Sequence, residues 1–252
     1  MRALKRFFIS SSLVPVQVQS KTAVVFLPRE ETHHLKHVLH MKEGELCLLF
    51  DSEGHEFVSR IERYLADERS EISLLDPVSS KNQPDMLRLT VAQAIPQDRK
   101  MDEMVRQAAE LGVYEVVPLI TERTIARIHP EKFSKVIERW QRIADQTLKQ
   151  SRLNRAPRIQ NPITFEELNG NLKSYSHIFI LDTSSEAAPI KKHISEKMND
   201  ILLIIGPEGG FSNDEIRKVE GLGAKRVSLG FGILKTDTAF VTAAGFLKLI
   251  CE

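Results

Sequence analysis

The chain has 252 residues, 42% of them hydrophobic and 27% charged, with 35 Lys and Arg against 34 Asp and Glu. That much apolar material builds one large core or two smaller ones and excludes a disordered tail, while a net charge of +1 excludes nucleic-acid binding by bulk charge and leaves only a local patch for that role. Two cysteines, Cys47 and Cys251, are too few for a disulfide framework or a Cys-pair zinc site. With neither a cleavable apolar leader nor a run of spanning length, the reading is a soluble, unprocessed cytoplasmic protein.

Short runs with apolar and β-branched character predict strands over 7–9, 24–27, 46–50, 57–61 and 72–75, interrupted by one helical piece over 32–39. Asp51, Ser52, Glu53, Gly54 and His55 read as a hairpin loop, with Gly54 free to take a positive φ. This is the pattern of a small β-barrel over 1–76. Residues 77–85 have little apolar content and include Pro77, Ser79, Ser80 and Pro84, as a linker does.

From 86 to 252 strands and helices alternate: a strand over 87–94, a helix over 99–111 closed by Gly112, a strand over 113–119 and a long helix over 130–150. In that helix Phe133, Val136, Ile137, Trp140, Ile143, Ala144 and Leu148 recur at three- and four-residue steps, which makes one buried face. Strands over 178–181, 201–205 and 227–229, each expected to lead into a helix, complete a mostly parallel α/β sheet.

The strongest local signal for chemistry is the all-apolar run ending at Ile205, followed by Gly206, Pro207, Glu208, Gly209, Gly210, Phe211 and Ser212. Ser212 and Glu215 form the S-x-x-E capping box of a following helix, so the glycine-rich turn sits at the carboxyl end of a buried strand, where open α/β sheets bind ligands. Neither a phosphate loop nor G-x-G-x-x-G is present. A second strand end follows at Ser228, Leu229, Gly230, Phe231, Gly232, Ile233, Leu234, Lys235, Thr236, Asp237 and Thr238, with Thr236 or Asp237 expected to cap an apolar helix over 240–250. The two loops are read as ligand loops at adjacent strand ends, late in the chain.

Landmarks in order along nearly the whole sequence then become recognisable: Arg6, Phe7 and Phe8; His33, His34 and Leu35; Met41, Lys42 and Gly44; Lys100, Met101 and Asp102; Glu110, Leu111 and Gly112; Glu122 and Arg123; Arg139 and Trp140; the turn after Ile205; and Leu229, Gly230, Ile233 and Leu234. In these the chain resembles the RsmE-type family of bacterial small-subunit ribosomal RNA methyltransferases, of the knotted SPOUT superfamily. The resemblance implies a PUA-like β-barrel followed by an α/β trefoil-knot domain, a homodimer, and S-adenosyl-L-methionine as methyl donor to N3 of a uridine in 16S rRNA. It points to a cofactor pocket of Thr121, Ile205, Gly206, Pro207, Glu208, Gly209, Gly210, Leu229, Gly230, Ile233, Leu234 and Thr236, with Arg123 and Glu122 as candidate catalytic residues and the general base unassigned. Phe231, Gly232, Lys235 and Asp237 depart from the family pattern, as do His40 and the Arg152, Leu153, Asn154, Arg155 stretch.

For RNA, residues 123–158 carry ten Lys or Arg against three acids, and Arg152 and Arg155 extend that charge past the helix toward phosphates. Arg2, Lys5 and Arg6 beside two phenylalanines make a second candidate arm. His33, His37 and His40 are expected on one helix face, but with no carboxylate or cysteine set beside them no metal is expected. Two readings stay open next to the methyltransferase one: a knotted enzyme acting on another RNA, and a non-catalytic RNA-binding or ribosome-assembly protein.

Overall fold

The computed structural model describes residues 4–13, 23–78, 87–98, 100–125, 129–151, 153, 155–195, 198–230 and 232–251. The chain divides into two compact units, Met1–Gln83 with Leu148–Ala156, and Pro84–Thr147 with Pro157–Glu252. The segment Leu148–Ala156 thus groups with the first unit, although the sequence boundary places it in the second. Most of the expected linker, 79–85, lies outside the described residues.

In the first unit β1 (Arg6–Phe8), β2 (Ala23–Leu27), β3 (Leu46–Phe50), β4 (Glu56–Tyr64) and β5 (Ser70–Pro77) form one curled sheet in the order β1-β3-β4-β5-β2. Among the described residues only the β1–β3 pair of this sheet is parallel. Alternating residues of β4 turn inward, so Phe57 and Ile61 enter a core shared with Phe7, Leu27, Leu49, Ile72 and Leu74. The hairpin loop forms as expected: Asp51 Oδ1 accepts the backbone N–H groups of Glu53 and His55, both at 2.9 Å, and Gly54 takes φ 99°.

Helix α1 (Arg29–His33) starts earlier than the sequence predicts, because Pro28 fixes its entry and Glu30 and Glu31 favour its first turn. It continues as a π-helical turn, His34–Val38. His40 lies beyond it with φ 52°, so the expected histidine face stops at the pair His33 and His37, whose rings are 5.0 Å apart.

The second unit runs β6 (Arg88–Ala94), α2 (Lys100–Glu110), β7 (Glu115–Ile120), α3 (Phe133–Ser151), β8 (Arg158–Ile159), β9 (Ile163–Thr164), α4 (Phe165–Asn171), β10 (His177–Leu181), β11 (Ala188–Pro189), β12 (Asp200–Ile205), α5 (Asn213–Gly221), β13 (Lys225–Ser228) and α6 (Thr236–Cys251). Its sheet is parallel throughout, in the order β11-β13-β10-β12-β6-β7-β8, with β9 on β7. Central β12 is covered on both faces, which is why Ile201, Leu202, Leu203, Ile204 and Ile205 show no alternation. Met101, Met104, Val105, Ala108 and Ala109 give α2 its buried stripe, and Gly112 closes it with φ 67°.

Two expectations fail here. Strand β10 leads not into an α-helix but into the edge strand β11 and a 3-10 turn, Ile190–His193, since Pro189 lacks the N–H that a longer ladder or helix needs. Helix α6 begins at Thr236, with the N–H of Ala239 bonded to the Lys235 carbonyl, so Thr236 and Asp237 lie in its first turn rather than at its cap. After β13 has paired on the far side of β10, α6 returns to pack on α2, β6 and β12.

Candidate active site

All strands of the second sheet run the same way, so the loops after β6, β7, β12 and β13 leave from one end of it. The capping box expected at Ser212 is present: its hydroxyl accepts the N–H of Glu215 at 3.3 Å, and Glu215 Oε2 accepts the N–H of Ser212 at 2.9 Å. The buried Glu215 does more than cap, because its Oε1 also accepts the backbone N–H of Glu122 at 2.9 Å. Arg123 adds a second tie between the same loops, donating from Nη1 to the carbonyl of Gly209 at 2.9 Å. Glu208 reaches the end of β6, accepting the N–H of Gln97 at 3.3 Å and standing 3.6 Å from Lys100 Nζ.

The structure therefore brings Glu122, Arg123, Glu208 and Gly209 together, with the buried Thr121 fixed beside them by Thr124 Oγ1, 2.9 Å from both its N–H and its hydroxyl. Within the turn, Gly210 has φ 65° and donates its N–H to the Pro207 carbonyl at 2.9 Å. A Cβ on Gly206 would lie 3.1 Å from the Phe211 ring, so that glycine serves internal packing.

The second late loop is placed differently from expectation. Strand β10 lies between β12 and β13, so the two loops leave ends two strands, roughly 10 Å, apart rather than adjacent ends. Gly230 has φ 78°, and neither it nor Gly232 would bring a Cβ within 4 Å of another group. Leu229 and Leu234 are half-buried, Ile233 is 87% exposed and Thr236 is buried. Phe231 lies outside the described residues.

Two polar groups escaped the sequence reading. Gln93, fully buried between Pro118 of β7 and Ile205 of β12, donates from its amide to the Ala94 carbonyl at 2.7 Å and leaves Oε1 without a partner among the described residues. Asp237, named in the sequence as an expected cap and as a departure from the family pattern, has a buried Oδ1 equally without one among the described residues. A glutamine inside the otherwise apolar tail of β6 was the available signal for the first.

The expected RNA residues are scattered. Arg2 and Arg152 lie outside the described residues. Arg6 is turned inward, 3.0 Å from Glu56 and 4.3 Å above the Phe50 ring, because Phe7 enters the core and holds the arm against the sheet; it is built into the fold instead of extending as an arm. Lys5 and Arg155 are exposed. Of the basic stretch, Arg139 pairs with Asp102, which also accepts from Trp140 Nε1 at 2.9 Å, and Lys149 pairs with Glu31.

Asp51, Glu53 and His55 gather three potential metal donors within 4.8 Å. Asp51 already spends both oxygens on the hairpin, Oδ1 on two N–H groups and Oδ2 on His55 Nδ1 at 2.7 Å, so the cluster explains a turn. Among the described residues no helix is long and apolar enough to cross a membrane.

Known proteins match this architecture along its length. The model of an RNA methyltransferase domain matches residues 83–248, and that of an RNA methyltransferase PUA domain matches 27–63. The ribosomal RNA small subunit methyltransferase E of Aquifex aeolicus is 32% identical over 77% of this chain and 82% of its own, and that of Rickettsia conorii 29% over 98% and 97%. A methyltransferase of Legionella pneumophila, solved with bound SAM, superposes with a TM-score of 0.81 at 30% identity, covering 98% of both chains. The Neisseria gonorrhoeae ribosomal RNA small subunit methyltransferase E, bound to S-adenosyl methionine, gives 0.79 at 28% over the same coverage. The late return of α6 thus belongs to the SPOUT α/β-knot fold, preceded by a PUA-like half-barrel. With a domain match over most of the sequence and a relative at 32% identity over 82% of its own length, the chain belongs to the RNA methyltransferase family and, within it, to the ribosomal RNA small subunit methyltransferases E.

Proposed function

We propose that this protein transfers a methyl group from S-adenosyl-L-methionine to N3 of a uridine in 16S ribosomal RNA. The observation that carries the reading is the tie between the Thr121, Glu122, Arg123 loop and the glycine turn of β12 through Glu215 and Arg123, which builds a rigid wall at the strand ends where such sheets take ligands.

The residues fit the cofactor. Space is open where a Cβ would stand at Gly210, Gly230 and Gly232, a buried Asp237 oxygen is unpartnered among the described residues, and Ile233 offers an uncovered apolar side chain. Bound there, the sulfonium supplies an electrophilic methyl. Residues 206–210 would hold it together with Leu229, Gly230, Ile233, Leu234 and Thr236. Arg123, exposed and anchored through one nitrogen, keeps further N–H donors to favour the anionic uracil ring as N3 loses its proton. That proton passes to a carboxylate of these loops, Glu122 or Asp237, or to water.

The RNA is held by exposed cations, Lys5 and Arg155 among them, together with Arg2 and Arg152. The protein works as a cytoplasmic homodimer in which Leu249 and Ile250, 85% and 54% exposed on α6, are covered by a second copy. Small subunits from a strain lacking this gene, incubated with protein and labelled cofactor, should gain one methyl per 16S rRNA, mapped to uridine N3 by mass spectrometry. Label on a ribose, on another base or on a different RNA would refute the substrate assignment. Light scattering at micromolar concentration should give twice the 28.6 kDa chain mass, and a monomer there counts against the dimer.

A further inference from the structure

The end of the second sheet opposite the glycine loops has a site of its own. Where β10 begins at His177 and β13 at Lys225, the surface sinks into a cavity of about 270 Å³. The length of β10 separates it from the cofactor end by roughly 13 Å, at about 3.3 Å per residue.

Lys173, His177, His193 and Lys225 line this cavity, and among the described residues no carboxylate does. In a chain whose charges balance at 35 against 34, such a grouping is a local field for an anion. Neither lysine forms an ion pair among the described residues. His193 Nε2 is buried without a hydrogen-bond partner among the described residues, so a ligand oxygen or hydroxyl would satisfy it. Its ring lies 6.5 Å from that of Phe179, which with Leu172 makes an apolar floor, each 1% exposed. Ser176 donates its hydroxyl to the Asp200 carbonyl at 2.6 Å and so receives the N–H of His177 Nδ1 at 3.0 Å, which holds that imidazole in place.

We propose that this cavity binds one nucleotide, its phosphate on Lys173 and Lys225 and its ring system against the half-buried Tyr175 and the exposed Leu222. The volume falls just under the roughly 300–1,000 Å³ of sites for drug-sized ligands, which suits a single nucleotide unit. Cations supply the phosphate contacts and the Tyr175 side chain the ring contact, the combination that holds single-stranded nucleic acid. The choice of a nucleotide over other anions rests on the RNA reading above. The nucleotide comes either free, as a monophosphate, or as one unit of the RNA chain beyond the target uridine.

The test uses the full chain, titrated calorimetrically with uridine 5′-monophosphate, with a five-residue oligouridylate and with S-adenosyl-L-methionine. Lys173→Gln with Lys225→Gln alters two exposed side chains, and Leu222→Glu places a carboxylate at the rim, where Leu222 is 45% exposed. Nucleotide affinity should fall at least tenfold in both variants, with cofactor affinity unchanged. Loss for both uridine probes supports the site as a nucleotide site in general; loss for the oligonucleotide alone assigns it to the RNA chain, and loss for the monophosphate alone to a free nucleotide. Parent-like affinity in both variants, or no binding of either uridine probe by the parent, overturns the inference. Methyl transfer to small ribosomal subunits by the same preparation tells failure of this site alone from failure of the RNA reading.

Discussion

Glu215 and Glu122, 93 positions apart in sequence, meet through a single hydrogen bond in which the buried carboxylate of the first accepts the backbone N–H of the second at 2.9 Å. The same carboxylate closes the capping box of α5, so one side chain sets both the start of a helix and the position of the Arg123 loop. Glu215→Ala leaves two N–H groups without their acceptor and should cost about 1–3 kcal/mol of stability, with a larger loss of methyl transfer than Glu215→Gln, which keeps one carbonyl oxygen. Urea denaturation beside single-turnover rates checks this; equal stability in the parent and the alanine variant would show that the tie contributes nothing.

Arg123 and Gly209 form a second separable pair. Arg123 is exposed, so Arg123→Ala should change stability by no more than about 0.5 kcal/mol while lowering the methylation rate at least tenfold. Arg123→Lys should recover little, because an ammonium cannot hold the Gly209 carbonyl and still present a planar fork to the substrate. A Cβ on Gly209 would touch Arg123 at 3.5 Å, so Gly209→Val should displace that side chain and mimic the alanine variant. Wild-type rates in Gly209→Val would separate the two residues.

Acid should expose the Asp182 site. Burial works against ionisation of this carboxylate, yet hydrogen bonds from Ser184 and Arg226, the latter at 2.7 Å, outweigh it and hold the group below the usual carboxylate range. The folded value is depressed, so the stabilisation is fully present above the unfolded value of about 3.9 and disappears as pH falls through the lower folded one. Asp182→Asn should therefore lower the urea midpoint at pH 6 and flatten its decline below pH 4. The same slope in parent and variant across that acid range contradicts the assignment.

Cys47 should resist alkylation. Burial pushes its thiol up to about 12, and it is fully enclosed in the first core, whereas Cys251 is half-buried. Iodoacetamide at pH 8 should modify Cys251 alone until denaturant is added, as mass spectrometry of the intact protein will show. Since the folded value of this acid is raised, the folded chain keeps a proton that the unfolded one releases, and stability should decline as pH rises above about 8.5.

What could be read from the sequence was local. The apolar β12, the S-x-x-E box at Ser212 and the positive φ of Gly54 each depend on residues a few positions apart, and all three are present. Strand β11 has two residues, too few for any periodicity to register, and the early start of α6 at Thr236 carries no strong capping residue at Lys235 to announce it. The insertion of β10 between the two glycine loops, the second bond of Glu215 and the inward turn of Arg6 are all non-local, set by sheet order and core packing. Family resemblance supplied the knot, which no pattern of hydrophobicity encodes.

The position of α6 after α2, β6 and β12 in the chain also sets an order of events. The elements that take it, α2, β6 and β12, are all synthesised first, so α6 docks on partners that precede it. Since synthesis runs from the N-terminal side, β6 and β12 stay uncovered by α6 until that helix has been made.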